Sequence, residues 1–97
     1  MSLRGSPVEE RAALPDGRTV VVRIGIAEDP YIDRREHETV SLELVVDDAT
    51  AAALNTVLDP ADVSEARALA RDLVARLESG ELEPTAGAVE PYAHRRP

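Results

Sequence analysis

Alternation of apolar and polar positions begins at Arg18. Val20, Val22, Ile24 and Ile26 fall on one side of an extended chain, with Arg23 and Gly25 on the other. The same two-residue period returns at Val40, Leu42, Leu44 and Val46, with Ser41 and Glu43 facing away. The pattern predicts two antiparallel strands, and Val21 and Val45 add apolar area to the far side of each. Two strands alone are marginal in water, so the sheet is expected to be completed by the N-terminal arm or by a second copy of the chain.

The period then lengthens. Ala66, Leu69, Ala70, Leu73 and Leu77 recur at helical spacing behind Asp62-Val63-Ser64-Glu65, which has the form of a capping box, and Gly80 is placed as the stop. This predicts an amphipathic helix of about 18 residues, ~27 Å long. Val63 and Val74 edge its apolar stripe, and Asp72 and Arg76 are spaced as an i,i+4 ion pair. Before it, Asp47-Asp48 reads as an N-cap for an Ala-rich segment, Ala49 to Leu58, whose Ala51, Leu54 and Leu58 share one side; a short helix broken by Asp59-Pro60 is expected there.

Residues 1–15 form an arm with two readings. Ser6-Pro7-Val8-Glu9 has capping-box spacing and favours a short helix. Leu14-Pro15-Asp16-Gly17-Arg18 is a turn that suits a hairpin and so favours an edge strand. Residues 16–80 read as a single α+β domain. Residues 81–97 hold Pro84, Gly87, Pro91 and Pro97 without apolar periodicity and are expected to be an extended or disordered tail. The fold class expected is α+β: a small antiparallel β-hairpin or three-stranded meander, a short helix and a longer C-terminal amphipathic helix.

Composition narrows the chemistry. Among 97 residues there is no Cys and, all eleven basic residues being Arg, no Lys; Phe and Trp are also absent. A disulfide framework, a thiolate nucleophile, a Schiff base and a P-loop lysine are thereby excluded. Arg without Lys, together with fifteen Ala, suits a GC-rich bacterial genome. No apolar run resembles a signal peptide or approaches the ~20 residues of a membrane span, so the expected location is cytoplasmic.

Nineteen Asp and Glu against eleven Arg give a net charge of −8. Residues 36–66 account for all of it, since no basic residue lies between Arg35 and Arg67. Such a balance favours solubility and opposes a general phosphate-backbone binder; Arg67 and Arg71, one turn apart on the long helix, and Arg95-Arg96 are the only local arginine clusters toward the C-terminus that a nucleic acid could use.

The segment Glu28 to Glu38 concentrates five carboxylates, His37 and two arginines in eleven residues, a composition compatible with a hard cation or a His-carboxylate site. Asp29 and Asp33 lack calcium-loop spacing and the required Gly, and His37-Glu38 lacks the second His of a zinc-protease helix. His37 shares the polar face with Thr39 and Ser41, but no orienting acid or oxyanion hole is identifiable. No catalytic, cofactor-binding or metal-binding residue is assigned.

Glu36, Glu38 and Glu43 alternate on the polar face of the second strand, where they could steer a basic protein. Tyr92, Arg95 and Arg96, among prolines, have the make-up of a short docking peptide. The expected function is therefore a small non-enzymatic protein-interaction or regulatory module, homodimeric through its sheet or helix stripe and without a cofactor. Two alternatives stand beside it: an acidic antitoxin- or immunity-like antagonist of a basic protein, and a metal- or His37-dependent enzyme using the 28–38 loop.

Overall fold

A computed structural model describes residues 7–26, 40–59 and 61–94. Four strands, β1 (Val8–Ala13), β2 (Thr19–Ile26), β3 (Val40–Val46) and β4 (Ala49–Asn55), form one antiparallel sheet in chain order, followed by α1 (Val63–Ser79) and α2 (Ala86–Ala93). The α+β class is thus as expected, with one strand more than the largest expected sheet. Both helices lie on the same side, α1 over β1 and β2, α2 over β4.

The alternation in β2 and β3 does what its period dictates. Val20, Val22, Ile24, Val40, Leu42 and Leu44 are fully buried beneath the helices. Ala66, Ala70, Leu73 and Leu77 of α1 are equally buried against them, together with Val89 and Ala93 of α2, in a single core. Two of the four α1 positions are alanine, which brings the helix close to the sheet and lets a core without Phe or Trp close up. Leu69, Val63 and Val74 sit half-buried at the margin of this stripe.

The described part of the arm contains an edge strand, β1. Val8 pairs with Ile24 and Ala13 with Thr19 across β1 and β2. Its turn starts at Leu14, whose carbonyl accepts from Gly17 N (3.0 Å) and whose N–H donates to Arg18 O (2.8 Å). Gly17 has φ +92°, a conformation that closes a type I turn into a hairpin and that a side chain would strain. The Asp16 carboxylate accepts from the Arg18 backbone N (3.0 Å) and from its Nε (2.6 Å). The backbone bond, more than the side chain, holds this carboxyl below its ordinary range. Strand wins over helix here because it puts Val8 and Ala12 into the core and pairs an otherwise open side of β2. The approach is close: a Cβ at Gly25 would stand 2.8 Å from the Pro7 Cβ.

Ala49 to Leu58, expected to be helical, is β4 and the residues that follow it. Asp47 and Asp48 do not cap a helix. They have φ +48° and +68° and form the two-residue turn between the paired Val46 and Ala49, the backbone sign pattern of a type I′ hairpin. Asp47 is anchored to β2 as well: its N donates to Thr19 O (3.1 Å), and its Oδ1 accepts from Thr19 N (3.2 Å). Alanine's helix propensity is worth a few tenths of a kcal/mol per residue, less than a ladder of backbone bonds to β3. A register shift opposite Leu44 and Val45 leaves Ala51 as a bulge; beyond it Ala52 turns inward and is buried.

The expected tail also departs from its reading. Residues 86–93 are helical, with Thr85 as N-cap accepting from Ala88 N at 3.3 Å. Val89 and Ala93, one turn apart, form its whole buried face, and Pro91 lies inside the helix. At the start of α1, Asp62 makes no side-chain cap to the helix; its Oδ2 accepts from Asp59 N instead (2.8 Å). Gly80 ends α1 as expected, with φ +79°.

Asp48→Gly removes a side chain from a positive-φ position and is expected to raise stability by about 1 kcal/mol, or Tm by about 4–8 °C. Thermal denaturation followed by circular dichroism measures this. A fall in Tm, the result expected were Asp48 a helix cap, contradicts the turn.

Candidate interaction surfaces

The helices cover one face of the sheet, and the other is the candidate site. Cross-strand register lays its residues out in rows. Glu9, Arg23, Glu43 and Ala53 form one row across β1 to β4, and Arg11, Val21, Val45 and Thr50 form the next. Arg23 Nε stands 3.5 Å from Glu9 Oε1, and the Thr50 hydroxyl lies 3.5 Å from Glu43 Oε1. Val21 and Val45 sit side by side and half-buried. Among the described residues, two acids and two arginines thus balance on this face of a chain whose net charge is −8.

Glu43 is therefore placed where expected, on the open face, with an arginine directly across from it. Glu36, Glu38 and the whole 28–38 loop with His37 lie outside the described residues, as do Arg95 and Arg96. Among the described residues no three His, Asp or Glu side chains are grouped to hold a metal ion. Arg67 and Arg71 are exposed on α1, away from the sheet.

Tyr92 is in a different setting from the exposed docking peptide expected. It lies in α2, half-buried against the core, with the Arg76 guanidinium 5.2 Å from its ring centroid. The Arg76 Nε donates to both Asp72 carboxylate oxygens at 3.1 Å, confirming the expected ion pair, and another guanidinium nitrogen reaches Glu81 Oε2 at 3.0 Å. The bond to Asp72, then its charge, raises the Arg76 pKa further above its usual value. One cation therefore ties α1, the connection after it and α2 together. The i,i+4 half of this cluster follows from spacing alone, whereas the Tyr92 half depends on α2 folding back.

No helix among the described residues is long and apolar enough to cross a membrane. The class these features define is a small α+β protein, a four-stranded antiparallel meander with two helices on one face. Comparison with known protein families, with curated proteins and with solved structures finds no match.

Arg76→Ala is expected to loosen the docking of α2, since it removes one cation–π contact and mostly exposed ion pairs. Hydrogen exchange should then accelerate in residues 86–93 more than in 63–79. Equal acceleration in both helices would assign Arg76 a general stabilising role in place of this tether.

Proposed function

We propose that this chain is a small non-enzymatic protein-interaction module that forms a homodimer through the open face of its sheet. The observation that carries the reading is the character of that face. Within an acidic molecule it is charge-balanced among the described residues, with Glu9, Arg11, Arg23 and Glu43 around the paired Val21 and Val45. A two-fold axis through such a face can set the arginines of one copy against the glutamates of the other, while like-charge repulsion is concentrated elsewhere.

Area sets the strength. Four strands about 4.8 Å apart and six residues of about 3.3 Å each make a face of roughly 400 Å² in projection. That is below the ~800 Å² per partner of a standard stable interface, so the dimer is reversible and weak.

Sedimentation velocity over a concentration series should show a monomer–dimer equilibrium that Val21→Glu moves to monomer with its circular dichroism unchanged. A monomer at every concentration, or association that Val21→Glu leaves intact, overturns the proposal.

A further inference from the structure

The two edges of the sheet are unlike. Each edge strand has a helix packed over it, α1 on β1 and α2 on β4, but β1 carries Glu9, Glu10 and Arg11 among its six residues. β4, at the other edge, reads Ala-Thr-Ala-Ala-Ala-Leu-Asn and contains no charge and no proline, the two commonest guards of a free edge. Five of its seven residues are exposed.

Backbone geometry shows which groups are on offer. Thr56 N donates to Val40 O at 2.8 Å, so Thr56 and Val40 form a hydrogen-bonded pair. By the alternation of an antiparallel ladder, Leu54 and Ala52 bond inward to Leu42 and Leu44, and the N–H and C=O of Ala53 and Asn55 point outward. Ala53 and Asn55 are exposed and neither is bulky, whereas the next outward N–H, that of Val57, donates to Ala93 O of α2 at 3.3 Å. Just beyond the edge, Val57 is 40% exposed, the only large exposed hydrophobic among the described residues.

Charge selects the occupant. No basic residue lies between Val40 and Ala66, while Asp47 and Asp48 precede β4 and Asp59, Asp62 and Glu65 follow it. A second copy's β4, paired antiparallel about Ala52, would bring its Asp47-Asp48 turn close to Asp59 of the first. An extended segment with basic residues flanking an apolar middle meets opposite charge at both ends.

We infer that the β4 edge is a β-augmentation site for an extended basic segment of a partner protein, bound through the outward backbone groups of Ala53 and Asn55. This deepens the interaction-module reading, and it uses an edge distinct from the face assigned to the dimer.

The test titrates the full chain into a fluorescein-labelled peptide of about nine residues, the length of an ordinary strand, with arginines at both ends and alternating valine and threonine between. A matched peptide with glutamates at its ends serves as control. Anisotropy should rise saturably for the basic peptide alone and weaken with salt. Ala53→Pro, which deletes an outward donor and leaves the β3 ladder intact, should weaken binding by about tenfold. Asn55→Lys, which sets a like charge on the edge, should also weaken it and covers the case in which the proline variant does not fold. Absence of saturable binding, equal binding of the acidic peptide, or indifference to both variants overturns the proposal. Sedimentation separates it from the dimer: Val21→Glu should leave peptide binding unchanged. Association that persists in Val21→Glu and is then lost when Ala53→Pro is added would assign the edge to a second copy and overturn the proposal as well.

Discussion

Everything in this molecule depends on covering the inner row of β2 and β3. Val20, Val22, Ile24, Val40, Leu42 and Leu44 have no exposed surface, and each contributes about 1.5–3 kcal/mol only if it is sealed from water. One helix is too narrow for four strands. Placing α1 over β1 and β2 leaves the far side to be closed, and Val89 and Ala93 of α2 close it together with Leu58 and Leu82. The Arg76 cluster matters in this context because it joins the two halves of the lid across the turn at Gly80.

Burial of one face also determines what the other can do. The period of two that sends apolar residues inward leaves Glu9, Arg11, Arg23 and Glu43 outward in adjoining rows, where opposite charges fall across from each other. Among the described residues, a further group of acids stands at the turns and helix starts, at Asp47, Asp48, Asp59, Asp62 and Glu65. These acids have local work: Asp47 receives the Thr19 N–H and Asp62 receives that of Asp59. Their field nonetheless brackets β4, so local turn chemistry and long-range electrostatics reinforce each other at one edge.

Legibility varied with the length of the pattern. β2, β3 and α1 each carry four or more apolar residues in strict period and could be read without the fold. β4 could not, because a run of alanines has no period and its propensity points to a helix. α2 is illegible for a related reason: two buried positions on eight residues, with Pro91 inside the helix, make too short a signal. At the candidate site Glu43 follows from alternation, while its balancing partner Arg23, and Glu9 on the far side of that arginine, follow only from the register. Asp47-Asp48 shows the limit most clearly, since the same two residues can cap a helix or occupy positive φ in a turn.

By itself the sequence determined the α+β class, the two central strands, the long helix with its Gly80 stop, the Asp72–Arg76 pair, and the exclusion of thiol and lysine chemistry. These are consequences of local periodicity, spacing and composition, and need no knowledge of neighbours. The tertiary structure alone decided that the arm is a strand, that the alanine segment is a fourth strand, and that Tyr92 is held under Arg76. In each case local preferences differ by a kcal/mol or less, and the outcome falls to the element that pairs an open edge or covers buried aliphatic surface.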